Sequence, residues 1–334
     1  AWGTLLASRR PFTDDELERL RQVTGQLGFG LLYAPGAPDA HPAATRLLGP
    51  EGDEFLREYP LNVSATTDDR PFFFFFDRPV DFLRAGLSGV TSLPERRGFI
   101  GEGAAPTLLV RLLVWMVGLC VLLIFVVPMA LGRMRLSATG RAGRNLLYFA
   151  CIGLGFIMVE IPLIQRFTLL LGQPIFAFAL ILGAILIAAG LGSALSSRIA
   201  DDRLARGARI VAALVVLGGS IHAFAGPAMI HAGLHWGLPM RILGTLICVA
   251  PLGLIMGMAL PLGVRMIERR APAAIAWGWG INGSLSVVGT ILAMMVSVTL
   301  GMTATILVGT ACYVIAMLAV TGEPDEAGRS ISRD

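Results

Sequence analysis

Glu160 is the residue whose type and position in this chain most strongly indicate chemistry. It lies near the middle of an apolar stretch, residues 146–171, that is long enough to cross a bilayer as one helix. A carboxylate at that depth costs at least ~2.5 kcal/mol to insert, so it is expected to face inward and to have a partner or a function. The functions open to it are binding a cationic amine and relaying protons.

Further polar residues follow Glu160 on the same stretch. Pro162 cannot donate to the carbonyl of Met158, which frees a backbone acceptor one turn from the carboxylate. Gln165 and Arg166 come next. We therefore predict a polar, broken helix inside the membrane that carries a candidate site made of these side chains.

Asn282 completes the candidate intramembrane site, because an amide in the middle of a helix bundle needs hydrogen-bond partners. It could lie beside Glu160. The structural alternative is a static pairing of Glu160 with Arg166 or Asn282, without further function. Asn282 also belongs to a stripe of small and polar residues at helical spacing, which lets helices approach closely: Gly278, Asn282, Ser286, Gly289, Ala293 and Ser297.

A second polar cluster precedes the apolar stretches. Asp68, Asp69 and Arg70 could form a carboxylate–guanidinium cluster, and such clusters usually brace a turn. Five consecutive phenylalanines follow at residues 72–76. We interpret them as packing residues rather than as the wall of a ligand site, because aromatic runs mostly serve packing.

No metal site is predicted from the sequence. His231 and His235 have the i, i+4 spacing of metal ligands, but no carboxylate or cysteine joins them, and a full site needs three or four ligands. The cysteines lie far apart in apolar stretches, where buried thiols are expected and a disulfide framework is not: Cys120, Cys151, Cys248 and Cys312.

The composition excludes several classes of protein. The 334 residues are 55% apolar, and the mean hydropathy is +0.71, which is too apolar for a soluble domain. All 27 basic residues are arginine, so lysine Schiff-base chemistry is excluded. The net charge of +4 is modest and the arginines flank apolar stretches, which indicates a lipid bilayer as partner and no nucleic acid.

Seven apolar stretches predict a multi-pass α-helical membrane protein with about seven transmembrane helices. Two of the stretches are expected to be interrupted, one at Gly226–Pro227 and one at Pro251 and Pro261, a feature that is common both at transporter binding sites and in inert bundles. The seven stretches span residues 107–131, 146–171, 174–197, 208–232, 238–264, 275–299 and 302–320.

A partial α/β segment is predicted before the membrane domain. Short apolar runs at residues 2–8 and 29–33 suit buried strands. A capping box at residues 13–16 starts a helix between them. The predicted organisation is an α/β remnant at residues 1–76, an interfacial linker at 77–106, a transmembrane domain at 107–320 and a polar tail at 321–334.

The distribution of arginine predicts the orientation of the protein. Arginines concentrate in the loops after the first, third and fifth apolar stretches and in the tail. By the positive-inside rule these loops and the C-terminus are cytoplasmic. With seven crossings the segment before the membrane domain then lies outside, unless one crossing is miscounted.

Three blocks of sequence carry a resemblance to a known family. Residues 67–74 read TDDRPFFF, residues 155–172 read GFIMVEIPLIQRFTLLLG, and residues 277–289 read WGWGINGSLSVVG. Together they resemble the C-terminal half of the bacterial membrane-bound spermidine synthase-like proteins. The resemblance covers most of the chain, and it implies residence in the bacterial inner membrane.

The resemblance also implies a fold for the segment before the membrane domain. In that family an aminopropyltransferase-like domain of the class I methyltransferase type precedes the transmembrane helices. Residues 2–35 resemble its last strand–helix–strand. Two positions depart from the family pattern: Phe75 stands where a polar residue is frequent, and Gln173 where histidine is frequent.

The catalytic parts of that family cannot be placed on this chain. Its glycine-rich nucleotide loop and catalytic aspartate would lie upstream of Ala1, and Asp68 and Asp69 belong to a different block. We therefore expect no cofactor in this chain. Aminopropyl transfer from decarboxylated S-adenosylmethionine is expected only of an intact protein with an upstream domain of the same polypeptide.

Three functions remain open from the sequence. The chain is the integral membrane portion of a spermidine synthase-like protein, or its bundle binds or transports protons, a polyamine or another cationic small molecule at Glu160, or it is a structural anchor. The predicted orientation favours the second function, because an enzyme that uses a nucleotide-derived substrate needs its active site in the cytoplasm.

Overall fold

The computed structural model describes residues 4–36, 41–59, 62–63, 65–72, 104–126, 140–268 and 272–320. The chain divides into two compact units, Ala1–Ala65 and Thr66–Asp334. The interfacial linker, most of the phenylalanine run and the polar tail lie outside the described residues. The α-helices of these described residues, in chain order, are α1 (Asp14–Leu27), α2 (Pro42–Leu48), α3 (Gly52–Glu58), α4 (Ala104–Val121), α5 (Gly140–Leu171), α6 (Pro174–Ser196), α7 (Leu204–Gly233), α8 (Leu238–Glu268), α9 (Ile275–Leu300) and α10 (Met302–Ala319).

The described residues of the first unit form three short helices. Helix α1 begins with the predicted capping box, in which Thr13 and Glu16 each accept from the other's backbone N–H. The prediction of two strands is wrong for the described residues, since 4–8 and 29–33 form no ladder. A short apolar run becomes a strand only when a neighbouring strand fills its hydrogen bonds, and the described residues supply none.

The second unit is a bundle of long apolar helices, and the chain is a multi-pass helical membrane protein. Six helices of the described residues are long and apolar enough to cross a membrane, namely α5 to α10. Their ends lie within a few residues of the predicted ones, except that α5 begins earlier. The first predicted crossing is α4, which continues into a π-helical turn at Leu122–Val126 and has a shorter apolar core.

The predicted breaks at proline do not occur. Helix α5 continues through Pro162, α7 through Pro227, and α8 through Pro251 and Pro261. Proline removes one hydrogen bond and bends a helix, but within a packed bundle the freed carbonyls can find other donors. The segment around Glu160 is therefore polar and embedded, but it is not broken.

Helix α5 is the centre of the bundle. Among the six membrane helices, α5 has the largest buried fraction: 61% of its most apolar 18-residue segment is buried. The small-residue stripe of α9 lies against it, which is the close helix approach that the stripe predicted: a Cβ at Gly278 would meet the ring of Phe149, and one at Gly289 would meet Leu154. On another face, Val159 fills the gap above Gly309 of α10.

Helices α6 and α8 pack through glycine at backbone contact distance. A Cβ at Gly192 would lie 1.9 Å from the carbonyl oxygen of Leu254, and one at Gly257 would lie 2.2 Å from that of Ala189. Both helices are apolar on every side, so direct contact of backbones, rather than a hydrophobic driving force, specifies this pair.

Arginine side chains mark the two ends of the bundle. At one end, Arg209 donates to the carbonyl of Val320 and Arg265 to that of Ser196, so each caps the C-terminal end of a neighbouring helix. We call this the arginine-rich end, because Arg198, Arg203 and Arg206 lie there too. At the other end, Arg241 donates to the carbonyls of Leu170 and Leu234.

Candidate functional site

Glu160 lies on α5 as an enclosed carboxylate. It is 7% exposed, and no residue that the structure describes forms a hydrogen bond or ion pair with it. Residues seven apart on a helix share nearly the same face. Glu160 therefore shares its face with Gly153, which packs on Asn282, and with Phe167, whose ring centroid lies 6.0 Å from that of His222.

Arg166 is the most completely partnered side chain of the candidate site. It is 2% exposed. Its Nη2 lies 2.6 Å from Oδ1 of Asp69 and 2.7 Å from the hydroxyl of Thr303, and its Nη1 donates to the carbonyl of His222. The guanidinium therefore joins α5 to α7, to α10 and to the segment that precedes the membrane helices. The predicted pairing of Arg166 with Glu160 is not formed.

Asp69 closes the N-terminal end of α10. Its carboxylate accepts from the backbone N–H of Thr303 at 2.9 Å, and its carbonyl accepts from that of Met302 at 2.9 Å. These two N–H groups are among the four that a helix leaves without an internal partner. We call residues 66–72 the strap, and the end of the bundle that it closes the strap end. Sequence reasoning placed Asp69 in a cluster with Arg70 and missed both its cap and its ion pair with Arg166.

Pro227 lies in the part of α7 that Arg166 and Thr303 approach. It has no N–H, so the carbonyl of Ala223 loses its helical partner. The hydroxyl of Thr303 lies 3.4 Å from that carbonyl, and Arg166 donates to the carbonyl of the adjacent His222. Gly226 leaves room for the guanidinium, since a Cβ there would lie 2.7 Å from its Nη1.

Asn282 does not bind Glu160. Its Nδ2 donates to the carbonyl of Phe149 at 3.1 Å, and the neighbouring Ser286 donates to that of Gly153. Phe149 precedes Glu160 by eleven residues, which is roughly 16 Å along the helix. The amide therefore fastens α9 to the first half of α5, and the prediction that it neighbours Glu160 is wrong.

His222 is the polar residue that sequence reasoning missed. It lies buried on α7, where Nε2 is 3.1 Å from the carbonyl of Cys248 and Nδ1 has no partner among the described residues. The oxygen of the Gln165 amide is likewise buried and unpartnered. The signal was available, because His222 interrupts an apolar stretch just as Glu160 does.

Asp68 and His231 lie exposed at the strap end, and Arg70 beside them is half-buried. Oδ2 of Asp68 is 3.7 Å from Nε2 of His231, with both side chains 71% exposed. No group of three or more metal-ligating side chains occurs among the described residues. The i, i+4 histidines therefore have one carboxylate nearby and no metal site in the part of the chain that the structure describes.

Comparison of the chain with protein-family models, with curated proteins and with solved structures finds no match.

Proposed function

We propose that the membrane domain binds a cationic small molecule, a protonated amine or a proton, at Glu160. The observation that carries the proposal is an enclosed carboxylate in the middle of a central membrane helix, without a partner among the described residues. A carboxylate in such a place is retained against its insertion cost of at least ~2.5 kcal/mol, which indicates a use for it.

The charges around Glu160 support a cation as its ligand. Arg166 is the nearest basic residue along α5, but Asp69 already neutralises it. It also lies roughly 9 Å further along the helix and points in a different direction. Among the residues that the structure describes, none compensates the negative charge of ionised Glu160, and a bound cation would remove the cost of that charge.

The unmet hydrogen bonds support a ligand that donates. Nε2 of His222 faces a carbonyl and must donate to it, so its Nδ1 is an acceptor in the neutral ring. The free atom of Gln165 is an amide oxygen, and Glu160 carries two carboxylate oxygens. Each of these groups lacks a donor among the described residues, and ammonium groups or water supply such donors.

A second candidate function is supported by the contacts between the sequence blocks. Asp69 of the TDDRPFFF block binds Arg166 of the second block, and Asn282 of the third block binds the helix that carries Arg166. We propose that the chain is the membrane portion of a spermidine synthase-like protein, in which case a polyamine is the natural candidate for the cation. Aminopropyl transfer would then depend on an upstream domain.

The position of the strap supports binding or transport over enzymatic transfer. The strap closes the end of the bundle opposite to the arginine-rich end. Under the positive-inside rule the arginine-rich end is cytoplasmic and the strap faces the other side. A carboxylate between the two ends is suited to a ligand that crosses the membrane.

The test is amine binding and uptake by the purified chain in liposomes. Radiolabelled spermidine, putrescine and methylammonium are offered to the wild type, to Glu160→Gln and to Glu268→Gln, which removes an exposed carboxylate at the end of α8. We expect saturable binding or uptake in the wild type and in Glu268→Gln, and a loss of at least ~10-fold in Glu160→Gln, which corresponds to about 1.4 kcal/mol. Equal uptake by all three proteins would refute the Glu160 site.

The enzymatic and structural alternatives have their own readouts. Spermidine production by this chain from putrescine and decarboxylated S-adenosylmethionine would contradict the need for an upstream domain. No amine or proton binding by the wild type, together with a less stable Glu160→Gln, would favour a structural anchor.

A further inference from the structure

The donors at the strap end converge on one carboxylate group. Oδ1 of Asp69 accepts from Nη2 of Arg166 at 2.6 Å, from the backbone N–H of Thr303 at 2.9 Å and from the hydroxyl of Thr303. These donors come from two elements that are far apart in the sequence, α5 and the first turn of α10. Three donors on one oxygen is the arrangement that strong oxyanion recognition requires.

The second carboxylate oxygen occupies a space that glycine leaves open. Gly301 has φ +97, and a Cβ built there would lie 2.2 Å from Oδ2 of Asp69. A side chain at position 301 would therefore close the site. The backbone between α9 and α10 thus makes room for a planar group with two oxygens.

We infer that Arg166, Thr303 and Gly301 form an oxyanion-binding site and that Asp69 is its tethered, exchangeable occupant. The guanidinium is 2% exposed, so the site carries a buried positive charge that needs an anion. The N-terminal end of α10 adds its partial positive charge at the same point. The carboxylate that sits there identifies the class of ligand, a carboxylate or phosphate group.

Asp69 is placed so that it can be exchanged. Its side chain is 33% exposed, whereas the guanidinium behind it is enclosed. It belongs to a short turn whose ends are joined by the backbone hydrogen bond from Arg70 to Thr67. An oxyanion that arrives from the strap end, free in solution or on a lipid headgroup, would meet the same donors once the turn lifts.

The test is chemical rescue of an emptied site. Asp69→Ala removes the carboxylate, and thermal unfolding in detergent is followed with sodium formate, acetate or phosphate, each against sodium chloride at equal ionic strength. The matched control is Asp201→Ala, which removes the aspartate of the Arg265 pair at the arginine-rich end. There the guanidinium is more exposed, and it keeps the carbonyls of Ser196 and Ile199.

We expect the oxyanions to raise the Tm of Asp69→Ala by about 3 °C or more and to leave Asp201→Ala unchanged. Nanodiscs with and without an anionic phospholipid separate the two sources: a rise with formate alone indicates a free oxyanion, and an additional rise with the lipid indicates a headgroup. If neither formate, acetate, phosphate nor the lipid stabilises Asp69→Ala more than the control, the inference is wrong.

Should Asp69→Ala fail to fold, Asp69→Asn carries the test. The amide keeps an acceptor oxygen for Thr303 but no charge, so an added oxyanion should displace it and raise the Tm. The corresponding Asp201→Asn control should show no rise. An Asp69→Asn protein that is indifferent to all the oxyanions would overturn the inference as well.

Discussion

The guanidinium of Arg166 and the carboxylate of Asp69 form an ion pair at 2.6 Å between residues that are 97 positions apart. The two sides of the pair differ in environment, since the arginine is enclosed and the aspartate is partly exposed. Removing the aspartate leaves a buried, uncompensated cation, whereas removing the arginine leaves a carboxylate that still caps α10. The two deletions therefore should not be equivalent.

The first prediction concerns this asymmetry. Asp69→Ala should lower the free energy of unfolding by about 3 kcal/mol, and Arg166→Met by less, because of the charge that each leaves behind. Unfolding in SDS/detergent mixtures measures both variants and the double variant. A coupling energy of about 1–3 kcal/mol is expected from the double-mutant cycle; additive effects would show that the pair contributes nothing to stability.

The second prediction separates a binding role of Glu160 from a structural one. Glu160→Gln should leave the free energy of unfolding unchanged, and Glu160→Leu should raise it by about 1 kcal/mol or more, because no described contact is lost and an insertion cost is removed. The same unfolding assay in the absence of amines measures this. A loss as large as that of Asp69→Ala would mean that the carboxylate is held by a partner.

The third prediction concerns the pair α6 and α8. Gly192→Ala should destabilise the protein by about 2 kcal/mol, because its Cβ would meet the carbonyl of Leu254 at 1.9 Å and the backbones must separate. Gly190→Ala, two residues earlier, is the control, since a Cβ there meets nothing within 4 Å. It should be neutral or slightly stabilising, as alanine favours helix. Equal effects at the two positions would contradict the close backbone contact.

The fourth prediction concerns pH and helix α1. The backbone N–H of Thr13 donates to Glu16, and with the Thr13 hydroxyl and the Arg10 guanidinium it lowers the pKa of that carboxyl. The pKa of Glu16 is lower in the folded helix than its ordinary value of about 4.3. The ionised cap therefore stabilises α1 fully at a pH above that ordinary value, and this stabilisation is lost as the pH falls through the folded pKa. Amide hydrogen exchange of α1, corrected for intrinsic rates, should show less protection at low pH.

Glu16→Gln provides the comparison for that experiment. The amide can still accept from Thr13 but does not titrate in this range, so the protection of α1 should no longer change across the same pH interval. A wild type and a variant with identical profiles would exclude Glu16 as the titrating group.

The fifth prediction concerns orientation. A cysteine at Ser197, next to the arginine-rich end, should react with an impermeant maleimide from the cytoplasmic side only. One at Gly237, between α7 and α8, should react from the opposite side only. The four native cysteines are buried or half-buried, so the unsubstituted chain serves as the background. Labelling of both positions from one side would refute an odd number of crossings between them.

The membrane helices could be predicted from the sequence because a bilayer demands about 20 consecutive apolar residues, and this length is visible in α6 or α9 without any tertiary information. The helices also continue through their prolines, which could not be predicted from the sequence. Whether Pro227 breaks α7 depends on tertiary contacts that the sequence does not show: in the structure Arg166 of α5 donates to the carbonyl of His222, and the hydroxyl of Thr303 on α10 lies 3.4 Å from the freed carbonyl of Ala223.

The partners within the candidate site could not be predicted for a related reason. The sequence indicates that Glu160, Arg166 and Asn282 each need partners, since polar groups in hydrocarbon are costly. It does not show which faces of the helices meet. Asn282 lies beside Phe149 rather than Glu160, and Arg166 finds Asp69, because the order of helices around α5 decides these pairs.

The strap also has a consequence for biosynthesis. Asp69 leaves the ribosome long before Thr303, which follows it by 234 residues, or roughly 10–50 s at ~5–20 residues per second. Until the last helix is inserted, Arg166 has no complete set of acceptors and the strap has no helix end to cap. The cap on α10 can therefore form only as the final step of assembly, and an intermediate stalled before α10 would lack the Thr303 partner of both Arg166 and Asp69.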